Sequence, residues 1–422
     1  LYFLGIDFGT SGARSCVIDA GGTIIAEDAR DFGSLDEYER AGIWREALWD
    51  LVAALPPPIR TQLSDIALDG TSGTIVACDE ELSPRHPPLL YNDDRAVDEA
   101  ALIAKTAVPG HPAAAVTSGL AKTLWLKKRL GLTGARLYLN QADWLSGLLT
   151  GRVGMTDYHN ALKMGLDLDT LQWPAWVEYL ADADYLPVPM APGARLATVS
   201  RPRARYLGIN PGCMVHAGTT DSIAAFLAAG MARTGDAVTS LGSTLVLKLL
   251  SDTLVESTEH GVYSHWFGRR WLAGGASNAG GAVLRQFFDD RQLATLSGKI
   301  NPAVASPLDY TPLPRTGERF PVNDPTLSPR LAPRPADDAE FLHGLLESLA
   351  RIEARGYRLL AELGASPLKR VETAGGGAHN ATWTQIRQRL LGVPVAPAAQ
   401  TEAAYGAALL AREGVRLFDS IS

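Results

Sequence analysis

The chain is 422 residues long, with 46% hydrophobic and 20% charged residues, a folded composition that excludes disordered and fibrous classes. That length exceeds one ordinary core and predicts two domains. A formal net charge of −7 with no Lys/Arg run excludes a basic field for nucleic acid and a polybasic membrane patch. No apolar stretch reaches the roughly 18 residues of a membrane span, and the start lacks a basic segment followed by an apolar core. Cys16, Cys78 and Cys213 are widely spaced and odd in number, which argues against a disulfide framework and for a reducing compartment.

The first thirty residues predict a β-meander: a strand ending at about Phe8, a second over Ala13 to Asp19, a Gly21-Gly22 turn, and a third through Thr23 to Ala26. Ile43, Ala47, Leu48 and Leu51 at helical spacing predict a helix over Glu37 to Leu55, stopped by Pro56-Pro57-Pro58. A strand over Asp65 to Leu68 runs into the polar tip Asp69-Gly70-Thr71-Ser72-Gly73-Thr74 and out through Ile75 to Cys78. Asp94 to Thr150 reads as mostly helical, with Gly131 stopping an amphipathic stretch. Pro187 to Pro211, rich in Pro and Arg, reads as a connection.

Strand character restarts at Cys213 to Ala217, followed by the polar turn Gly218-Thr219-Thr220-Asp221 and an Ala-rich helix from Ser222 to Ala229. Ala237 to Ser251 predicts two strands around a loop, and Trp271 to Ala273 a strand leading into a Gly274 to Asn278 loop. The proline-rich Pro302 to Pro335 predicts an extended surface segment, and Phe341 to Leu363 a long amphipathic helix. Val371 to Ala374 predicts a strand entering Gly375-Gly376-Gly377, with helices over Trp383 to Leu391 and Glu402 to Arg412. There are no short repeats of the solenoid kind.

Two segments share a chemistry. Leu4-Gly5-Ile6-Asp7-Phe8-Gly9-Thr10-Ser11-Gly12 lies between apolar runs, and Thr239-Ser240-Leu241-Gly242-Ser243-Thr244 repeats its apolar-Gly-hydroxyl-hydroxyl pattern. Glycine lets the backbone approach an anion, while N–H groups and hydroxyls donate to phosphate oxygens. Either copy alone also fits an ordinary hairpin turn. Asp7 beside such a loop would repel phosphate unless Mg²⁺ lay between them, so Asp7 reads as linked to metal or to substrate. Asp221 fits either a helix N-cap or a general base. Three consecutive glycines at 375–377 are entropically costly and favour close backbone approach to a flat ligand.

Gly5-Ile6-Asp7-Phe8-Gly9-Thr10-Ser11, Gly218-Thr219-Thr220-Asp221-Ser222, Ser240-Leu241-Gly242-Ser243-Thr244 and Ala374-Gly375-Gly376-Gly377-Ala378-His379-Asn380 together resemble the FGGY carbohydrate kinases, in that family's order and over essentially the whole chain. The resemblance implies an α/β fold of two ribonuclease H-like (actin-like ATPase) domains flanking a central cleft. The first would span 1–228, bind sugar and be joined by 402–422; the second would span 229–401 and bind nucleotide. It implies ATP and Mg²⁺ as cofactors. Asp221 would be the catalytic base and a substrate contact, and Asp7 a substrate contact and the metal link. Thr10, Ser11, Gly242, Ser243 and Gly281 would serve the phosphates, and Gly376, Gly377 and Asn380 the adenosine.

The tip Asp69 to Thr74 lies where many family members carry Gly-Gln-Met-His-Gly, and the Gln-Met-His is missing here. Ser72 is the candidate sugar contact on that tip. Asp93 and Arg95 fit either sugar positioning or a surface ion pair, and Asp157 to Asn160 either a site-facing stretch or a solvated loop. Ala217 to Leu227 and Asp157 to Lys163 resemble a compact cyanobacterial and plant group that phosphorylates D-ribulose. The expected reaction is therefore transfer of the γ-phosphate of ATP to the 5-hydroxyl of D-ribulose, with D-xylulose kinase, an actin-like ATPase or a sugar sensor as alternatives. The expected partners are a small sugar and ATP, in a monomer or homodimer, with neither nucleic acid nor membrane. The expected location is the cytoplasm, or the plastid stroma if a transit peptide preceded Leu1.

Overall fold

A computed structural model describes residues 1–33, 36–109 and 111–419, with the side chains of 132–134 and 419 left undescribed. The chain forms two compact units, one of Leu1–Ala228 joined by the chain from Glu402, the other of Ala229–Thr401.

In the first unit the strands are β1 Tyr2–Phe8, β2 Gly12–Asp19, β3 Ile24–Asp31, β4 Leu63–Gly70, β5 Ile75–Cys78, β6 Leu137–Asn140, β7 Met155–Asp157, β8 Val188–Met190, β9 Arg195–Thr198, β10 Met214–His216 and β11 Thr219–Thr220. The main sheet runs β3-β2-β1-β4-β10-β9, with the short β11 also paired to β4. The meander is antiparallel, whereas β1, β10 and β11 all run parallel to β4. Alternation along β1 sends Leu4, Ile6 and Phe8 into a core shared with Trp44, Leu48 and Leu51 of the helix Arg40–Ala54. The opposite face needs glycine: a Cβ on Gly5 would lie 2.0 Å from the Ala404 carbonyl oxygen. The helix Ala403–Glu413 thus lies directly against β1.

The second unit has β12 Asp236–Leu241, β13 Leu245–Ser251, β14 Tyr263–Phe267, β15 Arg270–Ser277, β16 Arg370–Ala374 and β17 Val395–Pro397, ordered β14-β15-β13-β12-β16-β17. Its first strand β12 is antiparallel to β13 and parallel to β16, as β1 is antiparallel to β2 and parallel to β4. The two glycine-hydroxyl hairpins therefore occupy the same place in two similarly wound sheets. The 25-residue helix Asp338–Glu362 closes this core with Phe341, Leu342, Leu345 and Leu349.

Several expectations are corrected. Asp94 to Thr150 is mostly helical, as expected, but a strand that was not expected, β6, interrupts it and pairs antiparallel with β5. Gly131 does break the helical backbone there, at φ +67°. Pro187 to Pro211 is no connection, because it holds β8, β9 and the helix Arg201–Leu207, with Pro189 tolerated on a short edge strand. Gly274 to Ser277 are strand residues of β15, not a loop. A Cβ on Gly274 would lie 2.0 Å from the Leu247 carbonyl oxygen, and one on Gly275 would lie 2.3 Å from the Phe320 ring. The proline-rich segment has no helix or strand, as expected, yet it buries Tyr310, Leu313 and Phe320 in the core.

Candidate active site

In the first unit three neighbouring parallel strands deliver three carboxylates to their C-terminal ends, where ligands gather in open α/β sheets. Asp7 on β1 pairs in register with Asp69 on β4, and Asp69 pairs with Thr219 on β11. β11 then runs straight into Asp221, the first residue of the helix Asp221–Ala228. Asp221 is half-buried, and its Oδ1 accepts from the Ser222 N–H at 2.7 Å.

Asp7 and Asp69 are both buried. Neither oxygen of Asp69 and not Oδ1 of Asp7 has a hydrogen-bond donor in reach. Two such carboxyls share a proton in a side-chain hydrogen bond. Burial above all, then the charge of Asp7, holds Asp69 protonated well above the usual carboxylate range. Burial pushes Asp7 up to about 6; the Asp69 proton opposes this rise, the Asp221 charge adds to it, and Arg14 opposes it. Arg14 Nη1 stands 4.0 Å from Asp7 Oδ2, and its Nε 3.5 Å from Glu402. Asp69 and Arg14 were not among the site residues expected. The signal for Asp69 is present in the sequence, since Leu68-Asp69-Gly70 repeats the strand-end pattern of Ile6-Asp7-Phe8-Gly9.

Among the described residues no group of three or more His, Cys, Asp or Glu is arranged to hold a metal. The orphaned Oδ1 of Asp7 nevertheless fits a Mg²⁺ held by one carboxylate plus water and phosphate, which is that ion's usual preference.

Thr10 and Ser11 lie exposed in the β1–β2 turn, which the Gly9 N–H closes onto Gly12 O at 3.0 Å. Ser72 sits on the β4–β5 tip with its Oγ buried and unpartnered. Gln141 holds the root of that tip: its Oε1 accepts from Thr71 N at 2.9 Å and Thr71 Oγ1 at 3.0 Å. Asp93 and Arg95 form an ion pair, with Arg95 Nε donating to both carboxylate oxygens at 2.9 and 3.0 Å. Asp157 to Asn160 is not a solvated loop. Asp157, His159 and Asn160 are buried, Asp157 caps the helix Tyr158–Leu162, and His159 Nδ1 meets Thr219 Oγ1 at 2.7 Å.

In the second unit Gly242, Ser243, Gly281, Gly376, Gly377 and Asn380 all line one cavity of about 810 Å³. The β12–β13 turn is pinched by Gly242 N–H onto Thr244 O at 3.1 Å, and Gly281 N–H reaches back to Gly242 O at 2.8 Å. A Cβ on Gly375, at φ +82°, would meet Leu241 O at 2.8 Å, so only glycine lets the triglycine turn lie on the hairpin. Asn380 caps the helix Ala381–Leu391 through Trp383 N–H at 3.0 Å, and its Nδ2 donates to Ser297 Oγ at 2.9 Å. Beneath the cavity Arg387 pairs with Glu353 at 2.6 and 2.7 Å and donates to Thr373 Oγ1 at 2.7 Å, and Thr239 Oγ1 donates to Glu353 at 2.6 Å. These bonds tie together β12 and β16, the strands that lead into the 242–244 and 375–377 turns.

The models of the FGGY family of carbohydrate kinases match residues 2–228 with the N-terminal domain and 237–412 with the C-terminal domain. The chain belongs to the FGGY family of carbohydrate kinases. Among FGGY relatives, the xylulose kinase of Staphylococcus xylosus is 24% identical, covering 100% of this chain and 92% of its own length. The gluconokinase of Bacillus subtilis is 22% identical, covering 100% and 90%. Of solved FGGY structures, xylulose kinase from Rhodospirillum rubrum aligns with a TM-score of 0.85 at 22% identity over 98% of this chain and 90% of that one. Glycerol kinase from Plasmodium falciparum, solved with ADP, aligns at 0.82 with 18% identity over 100% and 91%. The likeness shows the fold, two α/β domains of the actin-like ATPase type. Among the described residues no helix is long and apolar enough to cross a membrane.

Proposed function

We propose that this sugar kinase transfers the γ-phosphate of ATP to the 5-hydroxyl of a ketopentose, with D-ribulose as its preferred acceptor. The observation that carries the reading is the convergence of Asp7, Asp69 and Asp221 at the ends of three adjacent parallel strands. Of the three, Asp221 is the one not sealed in the strand ends, so it is the carboxylate that reaches a substrate hydroxyl. Asp221 accepts the proton of that hydroxyl as the oxygen attacks the γ-phosphorus. Phosphoryl transfer asks little covalent chemistry of a protein, so positioning and one base supply most of the acceleration.

Asp7 orients the acceptor and is the residue that would hold Mg²⁺, directly or through water. When bound, that ion neutralises phosphate charge. Ser72 donates to a sugar oxygen. Thr10, Ser11, Gly242, Ser243 and Gly281 serve the phosphates through N–H groups and hydroxyls, and Gly376, Gly377 and Asn380 take the adenosine. The proposed domains are a sugar-binding one over 1–228 with the returning 402–422 and a nucleotide-binding one over 229–401. The enzyme acts as a soluble monomer or homodimer in a reducing compartment.

D-xylulose is the second reading, supported by the relatives named xylulose kinase. The test is kcat/KM for D-ribulose, D-xylulose and gluconate under identical conditions. A D-ribulose value at least tenfold above the others supports the first reading, and a D-xylulose value above it replaces that reading with the second.

A further inference from the structure

The turn that carries Ser72 is fixed by side chains from three other elements. All four of its carbonyls are engaged. Thr71 O accepts from Thr74 N at 3.2 Å and Thr74 O from Gln141 N at 3.1 Å, while Ser72 O accepts from Lys163 Nζ at 3.3 Å and Gly73 O from Lys122 Nζ at 2.8 Å. Gly73 takes φ +81°, which suits glycine alone at this crowded point. What the turn still offers are donors: the N–H groups of Ser72 and Gly73, and the Ser72 hydroxyl, buried without a protein partner.

Lys122 is the unusual member of this frame. It lies on the helix Gly119–Gly134, is fully buried, and donates also to Leu90 O at 2.5 Å and Thr117 O at 2.9 Å. Three acceptors take three N–H bonds, which an ammonium has and a neutral amine lacks. Burial and the charge of Lys163 draw this ammonium down to about 7, and the charge of Asp93 works against them. A buried charge bonded only to carbonyls is costly to keep for stability alone. Its three bonds instead join the Ser72 turn, the stretch leading to Asp93 and Arg95, and the turn entering its own helix.

We propose that Lys122, seconded by Lys163, is a positioning residue for the sugar: it locks the 71–74 turn with its donors turned toward the acceptor. The inference rests on the sugar-kinase reading for its catalytic consequence, and on geometry alone for the locking. The first variant is Lys122→Met, which keeps the side-chain bulk. Hydrogen exchange without any sugar reads the lock directly. The hydrogen-bonded amides of Thr71 and Thr74 should exchange at least tenfold faster in the variant while those of Leu241 to Thr244 do not change. Steady-state kinetics then separate binding from folding. The KM for D-ribulose or D-xylulose should rise about tenfold or more, the loss expected for a charged hydrogen bond, with the KM for ATP within about twofold.

In Lys122→Ala, propylammonium replaces the missing atoms and should restore the sugar KM, whereas Lys122→Met should not respond. Should the Lys122 variants not fold, Lys163→Met, at a half-buried position, should raise sugar KM and turn exchange in the same pattern to a smaller degree. Unchanged exchange at Thr71 and Thr74 in a folded variant would overturn the proposal. A wild-type protein that phosphorylates no sugar would instead overturn the functional reading and leave the exchange result to judge the lock.

Discussion

Asp7 and Asp69 face each other in register on the parallel strands β1 and β4, buried and without any donor between them except a shared proton. Because Asp69 is the more deeply buried, the proton resides there, and the negative charge of the pair is left to Asp7. The third carboxylate, Asp221, enters from β11 on the other side of Asp69 and stands half-exposed. The three strands thus set out one neutral, one charged and one accessible carboxyl, which is a division of labour suited to holding an acceptor and deprotonating it.

Asp221→Ala removes the proposed base. Sugar-dependent ADP release should fall by about 10²- to 10⁴-fold, the usual worth of a general base, while nucleotide binding measured by calorimetry stays within about twofold. Turnover within tenfold of wild type would remove Asp221 from that role.

Adjacent glycines in the second unit's cavity, the proposed nucleotide site, should respond oppositely. A Cβ on Gly376 meets no atom within 4 Å, so Gly376→Val fills the cavity without disturbing the fold and should raise the KM for ATP at least tenfold at unchanged melting temperature. A Cβ on Gly377 would lie 2.7 Å from Leu241 Cβ and 2.8 Å from the Trp383 ring. Gly377→Ala should therefore lower stability by about 1–3 kcal/mol, the cost of overpacking, as read by urea unfolding.

The Arg387–Glu353 pair is fully buried, so removing one partner strands the other. Arg387→Met should cost about 3–5 kcal/mol in urea unfolding, and the double variant Arg387→Met/Glu353→Leu should recover part of that loss. A single variant costing under 1 kcal/mol would show that the pair is solvated in solution.

Asp143 gives the pH dependence. Burial, then the charge of Asp157, pushes its carboxyl from 3.8 up to about 8, and Asp157 itself is raised to about 6 by burial. A carboxyl with a raised folded pKa contributes stability that is complete below pH 3.8 and lost as pH climbs through the folded value. The melting temperature should therefore decline from about pH 4 to about pH 8 and level off above. Asp143→Asn, which still accepts from Asn140, should flatten that decline and melt several degrees above wild type at pH 9, at about 2–4 °C per kcal/mol. Parallel curves for the two proteins would contradict the assignment.

Much of this was legible in the sequence. The meander, the polar tip at 69–74, the long helix and the triglycine turn follow from apolar periodicity and glycine placement, and the two related domains from the family resemblance. What escaped depends on partners distant in the chain. β6 is four residues between helices and becomes a strand only because β5 offers it a ladder. Pro187 to Pro211 looked like a linker because its strands are three and four residues long and carry proline and arginine. Gly274 and Gly275 read as a turn, although they are in a strand where Leu247 and Phe320 leave no room for a side chain. At the proposed site, Asp7, Ser72 and Asp221 stand out as candidates from local motifs. Asp69 takes its meaning from standing opposite Asp7, and Lys122 from carbonyls that are 5, 32 and 49 residues away.

The most direct test is ADP release with Mg²⁺ and ATP in the absence of sugar and with D-ribulose, D-xylulose, gluconate or glycerol, with the product of each reaction weighed by mass spectrometry. ADP should be released only with a ketopentose, matched one for one by a singly phosphorylated sugar and greatest with D-ribulose. ADP release equal in every tube, with no phosphorylated sugar formed, would contradict that expectation.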